Sequence, residues 1–160
     1  ATVHVHDREL AAARDRPTAL ARRRYVPAQL PDPSRCRTYG DGGDTWRGLD
    51  GVRALGDLHP DVLLAPLPGH TAGHCGVAVR SDRGWLFHAG DSFFFHGQIE
   101  ATPHAPLALR YFQRRADADR AARRANQDRV RALALAHPDV RVFSGHDPVA
   151  FDAAVAAARR

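Results

Sequence analysis

Three short segments carry side chains able to bind a metal: Pro68-Gly69-His70-Thr71-Ala72-Gly73-His74, Ala89-Gly90-Asp91-Ser92 and Ser144-Gly145-His146-Asp147. His70, Asp91 and His146 offer two imidazoles and one carboxylate, donors that suit zinc or another borderline divalent ion better than calcium or magnesium. Each segment follows an apolar run of strand character, at 62–67, 85–87 and 140–143. Gly69, Gly90 and Gly145 permit tight turns with positive φ, which can aim a side chain back over a sheet edge. Taken singly, a His or Asp after a strand is ordinarily a turn or capping residue. The repeated context makes convergence of the three the expectation.

The order GHTxGH, then GDS, then GHD resembles the later metal motifs of the metallo-β-lactamase-fold hydrolases. The resemblance extends over nearly the whole chain and is most specific between Leu67 and Pro148. It implies a two-zinc hydrolytic site in the complete protein, with iron or manganese as alternative metals. His70 then matches a ligand on the first metal, Asp91 the bridging and catalytic carboxylate, and His146 a ligand on the second. Thr71 and His74 fall on neighbouring positions of the same loop, where supporting hydrogen bonds are implied more than ligation. Zinc-activated water, not a side chain, would attack an ester, lactone or thioester. The run Phe93-Phe94-Phe95 suits an apolar wall for an acyl chain, with Phe93 and Phe94 as pocket residues; core packing is an equal alternative. His96 and His104 are further pocket candidates.

One family motif is not found. HxHxDH would supply the remaining ligands, and the nearest match, His4-Val5-His6-Asp7-Arg8-Glu9, lacks the aspartate and histidine that should follow. Alternation along a strand would put His4 and His6 on one face, so a chelating pair is geometrically allowed. The stretch from Ala1 to Ala12 resembles instead the strand and helix that come after that motif, which makes His4 and His6 non-ligands. On this reading the chain is a single partial domain, 1–160, the C-terminal half of a four-layer αβ/βα sandwich of mixed α/β class. Hydrolysis is then expected of the complete protein and not of this chain alone. The alternatives are a non-catalytic fragment or interaction module, and a metal-dependent nuclease.

With 160 residues, 44% of them hydrophobic, the chain can bury a core. All 23 basic residues are arginine and the formal charge is +5. Arg22-Arg23-Arg24, Arg114-Arg115 and Arg123-Arg124 alternate with Asp117, Asp119 and Asp128, a pattern of solvated, salt-bridged helix faces more than a nucleic-acid footprint. A small-molecule substrate is expected, with neither nucleic acid nor a membrane as partner. Self-association is expected if half of the sandwich is missing. The two cysteines, Cys36 and Cys75, are far apart in sequence and suggest neither a disulfide framework nor a thiolate site. A reducing cytoplasm is the simplest compartment, with export left open; Cys75 reads as a small packing residue.

The elements that must position these residues follow from periodicity. Short helices are expected over Arg8–Arg14 and Thr18–Tyr25, separated at Pro17. Pro27–Asp44 reads as an irregular loop. Trp46–Leu55 reads as a hairpin turning at Asp50-Gly51. Strands are expected at Val62–Leu67, Gly76–Arg80, Trp85–His88 and Val140–Phe143. Pro106–His137 reads as two helical segments, the second capped around Asn126-Gln127-Asp128, and Pro148–Arg159 as a closing helix.

Overall fold

A computed structural model describes residues 1–56 and 58–158. A short strand β1 (Val3–His6) leads into helix α1 (Asp7–Asp15), and helix α2 (Ala19–Arg24) follows. The His6 imidazole caps α1 by accepting from the Arg8 amide. The helix ends where Arg16 turns left-handed, at φ 43°, just before Pro17. Thr18 Oγ1 accepts from the Ala21 amide at 3.0 Å and opens α2. Two single 3-10 turns come next, Pro27–Gln29 and Pro33–Arg35, and then strand β2 (Cys36–Tyr39), which pairs in parallel with β1. The region expected to be an irregular loop therefore holds a strand. Its two middle residues, Arg37 and Thr38, are both exposed between part-buried Cys36 and Tyr39, so the run carries no period-two signal and does not stand out against the surrounding prolines and glycines.

Six further strands make the main sheet: β3 (Asp44–Trp46), β4 (Leu49–Ala54), β5 (Val62–Pro66), β6 (Cys75–Ser81), β7 (Gly84–His88) and β8 (Val140–Phe143). They lie side by side in chain order, all antiparallel except the β7–β8 pair. The β3–β4 hairpin does not turn at Asp50-Gly51. Trp46 pairs with Leu49, so the two-residue turn is Arg47-Gly48, with φ of 50° and 82°. Those angles match a type I′ turn, whose twist suits a hairpin. Asp50 and Gly51 lie inside β4, where Gly51, at φ 73°, accommodates the irregular register opposite Asp44 and Trp46.

Between β7 and β8 run helices α3 (Leu107–Ala116) and α4 (Arg120–Ala136); α5 (Pro148–Ala158) closes the described chain. The expected end of that helix at Arg159 lies outside the described residues. α4 starts earlier than its sequence suggested. Asp119 accepts from the Ala122 amide and caps it, while Asn126 lies in mid-helix with a different task. The buried positions of α4, namely Arg123, Asn126, Val130 and Leu133, form one stripe of helical period. Its C-terminal half, Val130 and Leu133, packs on Ala78, Phe87 and Val140 in the core. Its N-terminal half is polar and faces the loops beyond the strand ends.

Cross-strand partners share a sheet face. Leu63, Ala78, Phe87 and Val142 stand opposite one another on the face covered by the core cluster. The other face carries Leu64, Val77, Leu86 and Arg141. Near β5 it is overlain by the β1–α2 unit, while Val79 and Leu86 are exposed. Among the described residues no helix is long and apolar enough to cross a membrane.

Candidate metal centre

β5, β7 and β8 run in the same direction, because β5 and β7 are each antiparallel to β6 and β8 is parallel to β7. Their C-terminal ends therefore share one edge of the sheet, and the three segments expected to converge do so there. Two backbone hydrogen bonds join the second and third: Ala89 N to Phe143 O at 2.8 Å and Gly145 N to Gly90 O at 3.3 Å.

Asp91 stands at the centre. His70 Nε2 lies 3.2 Å from its Oδ2, and His146 Nε2 lies 3.1 Å from its Oδ1. Among the described residues no three His, Cys, Asp or Glu side chains close on a single point. The two imidazoles instead address different oxygens of one carboxylate, the arrangement in which a carboxylate can span two ions. His70 is almost buried, whereas His146 is 57% exposed at its side chain.

The loop bearing His70 is held from both sides. Gly69 has φ 136°, and a Cβ there would land on the Arg123 amide nitrogen; a Cβ on Gly73 would land on the Glu9 amide. Glu9 accepts from the Gly73 amide at 2.9 Å and from the Tyr25 hydroxyl at 2.8 Å. Burial first, and Glu9 second, push the Tyr25 phenol above its ordinary range. Asn126 Nδ2 donates to Pro68 O at 2.7 Å, the task that keeps it in mid-helix. His74 ties the loop to the next segment: Nδ1 meets Leu67 O at 3.0 Å and Nε2 accepts from the Asp91 amide at 2.8 Å. With both nitrogens engaged, His74 supports Asp91 and has no lone pair free for a metal. Burial holds its pKa below the ordinary histidine value.

Asp117, Arg123 and Arg24 carried no site signal in the sequence, where their arginine clusters read as solvated faces. Asp117 and Arg123 are buried and paired at 2.6 Å. Asp117 Oδ1 stands 3.8 Å from His70 Nδ1, and neither atom has a hydrogen-bond partner. A closure of about 1 Å would join them. So joined, the pair would fix the proton on Nδ1 and leave the Nε2 lone pair facing Asp91. Arg24 Nη1 donates to His70 O at 2.8 Å, and its Nη2 is 3.2 Å from His70 Nε2.

The other residues singled out in the sequence divide. Thr71 is buried beside Tyr25. Phe94 stacks edge-on against His146 and His70, with centroids 4.6 and 5.8 Å apart, and leads on to Phe112. Phe93 is fully buried in the core cluster and so is not a pocket residue. His96 bonds to Asp147, and His104 lies at a separate cavity. His4 and His6 reach the same cavity of about 590 Å³ as His70 and Asp91. His4 Nδ1 is 2.7 Å from Tyr39 Oη and His6 Nδ1 accepts from the Arg8 amide at 3.2 Å, while the buried His6 Nε2, 3.3 Å from Asp41 Oδ1, makes no hydrogen bond. Cys75, half-buried, donates to Gly73 O, and burial pushes its thiol up to about 12.

No protein-family model matches the chain. Two curated proteins named "probable metallo-hydrolase", from Mycobacterium tuberculosis and Mycobacterium bovis, are each 32% identical over 149 residues. Those matches cover 92% of this chain and 48% of each relative, so the chain spans about half the length of the curated relatives it matches. Among solved structures, an N-acyl homoserine lactone hydrolase with product bound at its catalytic metal centre superposes with TM-score 0.65. It is 16% identical, over 96% of this chain and 50% of that one. A hydrolase of the β-lactamase superfamily gives TM-score 0.51 at 20% identity, over 94% and 49%. Homology to the metallo-hydrolases and the shared fold together place the chain among the metallo-β-lactamase-fold proteins, about half of whose length it spans.

Proposed function

We propose that the protein is a metal-dependent hydrolase in which Asp91 bridges two zinc ions, His70 ligates one and His146 the other. The observation that carries this reading is the placement of the two Nε2 atoms on opposite oxygens of the Asp91 carboxylate. The donor set suits zinc, and iron or manganese would find the same nitrogen and oxygen donors. When bound, zinc supplies Lewis acidity toward a substrate oxygen and ionises water near neutral pH. The residues of this chain hold the donors in place: Asp117 sets the His70 tautomer, and His74 fixes the Asp91 backbone. Phe94 excludes water from one side of His146. These residues would offer each ion one imidazole and one carboxylate oxygen, two donors where zinc takes four, so a full shell would need donors beyond His70, Asp91 and His146.

An ester, lactone or thioester is the proposed substrate class. Phe94 and Phe112, in tilted contact at 6.1 Å, offer an apolar surface beside the metal position for an acyl group. The curated relatives' name supports hydrolysis with a metal, and the fold shared with a lactone hydrolase supports a lactone within that class. Two free thiols, Cys36 and Cys75, support a reducing, cytoplasmic setting. Exposed Val79 and Leu86 on the uncovered sheet face support self-association of the isolated chain.

The test joins metal to turnover. The complete protein should retain about two zinc per chain by elemental mass spectrometry and hydrolyse acyl lactones, esters or thioesters. Asp91→Asn should lose both metal and activity. Full activity in Asp91→Asn would overturn the assignment. Zinc retention without turnover on any of these substrates would favour the second reading, a non-catalytic module, which the two donors per ion in this chain also support.

A further inference from the structure

A separate cavity of about 370 Å³ opens between α3, α4 and the segment 98–105. Its floor is polar and buried, with Gln98, Gln113 and Arg123 only 6%, 2% and 5% exposed. Gln98 is locked in place: its Oε1 accepts from the Phe94 and Phe95 amides at 2.9 and 3.2 Å, and its Nε2 donates to Gln113 Oε1 at 2.8 Å. Arg123 gives Nε to Asp117 and Nη1 to Gln127, each at 2.6 Å. Its Nη2 has no protein acceptor among the described residues.

The rim is cationic. Arg110 and Arg114 stand one turn apart on α3, and Arg124 and Arg131 stand two turns apart on α4, so each pair shares a helix face. Asp128, the one carboxylate lining the cavity, is paired with Arg131 at 3.0 Å. Of five lining arginines, Arg123 and Arg131 are paired and three are left. Among the described residues no carboxylate lies within ion-pairing distance of Arg110, Arg114 or Arg124. Like charges gathered around a concavity raise its potential and favour a bound anion.

We infer that this cavity binds a small molecule carrying phosphate groups, with the guanidinium forks of Arg110, Arg114 and Arg124 taking its oxygens. Three uncompensated charges match a multiply charged phosphate better than a single carboxylate, and arginine presents paired donors in the geometry phosphate accepts. A single cavity of about 370 Å³ suits one small ligand, whereas a nucleic-acid footprint is a stripe that runs on across the surface. The inference is independent of the proposed hydrolase: none of the rim residues belongs to the metal centre.

Pyrophosphate titrated calorimetrically into the 160-residue chain should bind in the millimolar range or tighter. The variant Arg114→Gln/Arg124→Gln, altered at exposed positions, should bind about tenfold more weakly. Arg110→Gln alone should weaken binding in the same direction. A control of equal charge, Arg23→Gln/Arg141→Gln, should change affinity less than about twofold. Circular dichroism and melting would establish that each variant is folded. No heat of binding at millimolar pyrophosphate would overturn the inference, as would equal losses in rim and control variants. Malonate binding as tightly as pyrophosphate would overturn the phosphate class. A single-stranded oligonucleotide that binds and is not displaced by pyrophosphate would replace the small ligand with nucleic acid.

Discussion

His74 holds Asp91 through the backbone: its Nε2 accepts the Asp91 amide proton at 2.8 Å while its Nδ1 bonds to Leu67 O at 3.0 Å. One half-buried imidazole thus joins the loop that carries His70 to the loop that carries the central carboxylate. Gly90 makes room for this, since a Cβ there would land on His74 Nε2. His74→Ala should cost about 1–3 kcal/mol in denaturant unfolding, because the Asp91 amide and the Leu67 carbonyl each lose a partner. Faster hydrogen exchange at the Asp91 amide would distinguish this from a general loosening. An unchanged exchange rate would show that the imidazole does not hold the carboxylate's backbone.

The buried Asp117–Arg123 pair lies behind His70. Asp117→Ala should destabilise by about 3–5 kcal/mol, because it strands a buried guanidinium. Removing both charges in Asp117→Ala/Arg123→Met should be milder than Asp117→Ala alone. In both variants His70 loses the group that sets its tautomer, so zinc affinity of the complete protein should fall about tenfold or more. A stability loss with unchanged zinc affinity would make the pair purely structural.

Tyr25 gives an alkaline signature. Its phenol is raised above the unfolded value of 10 by burial and by Glu9, so the unfolded chain releases this proton first. Stability contributed by Tyr25 is then fully present below pH ~10 and is lost as pH rises further. With no lysine in the chain, only tyrosine and cysteine titrate there alongside the N-terminus. Tyr25→Phe should flatten the fall of melting temperature above pH ~10. An identical alkaline profile in the variant would show that the Glu9–Tyr25 bond does not form in solution.

Cys75 should be a slow thiol. Burial pushes it up to about 12, and the thiolate is the reactive form. At pH ~8 iodoacetamide should modify Cys36 well before Cys75, as read by peptide mass spectrometry, and mild denaturant should remove the difference. Equal native rates would count against the packing around Gly73 and Glu9.

The three strand-then-glycine segments were legible because each unites an apolar run, a glycine and a metal-capable side chain within a few residues. Their meeting at one edge follows from strand directions, which the spacing of a sheet's own members nearly dictates. Asp117, Arg123 and Arg24 were not legible. Arginine and aspartate at helical spacing look alike whether the face meets water or a loop, and only the docking of α4 against Pro68 and Gly69 decides it. The hairpin turn was misplaced for a related reason. Asp50-Gly51 is the stronger local turn signal, but placing Leu49 and Val52 in the core requires the chain to turn earlier, at Arg47-Gly48, and Gly51 is then used for a bulge.

Gly48 and Gly69 separate backbone preference from crowding. Both have positive φ, 82° and 136°, but a Cβ on Gly48 would meet nothing, whereas one on Gly69 would land on the backbone of Arg123. Gly48→Ala should therefore cost only the left-handed penalty, about 1–2 kcal/mol. Gly69→Ala must also push the His70 loop off the first turn of α4, at a cost of about 3 kcal/mol or more. That displacement would carry His70 away from Asp91, so zinc retention should drop in Gly69→Ala and persist in Gly48→Ala, each measured on the complete protein. Equal destabilisation of the two variants, with zinc retained in both, would mean that the loop does not depend on α4 for its position.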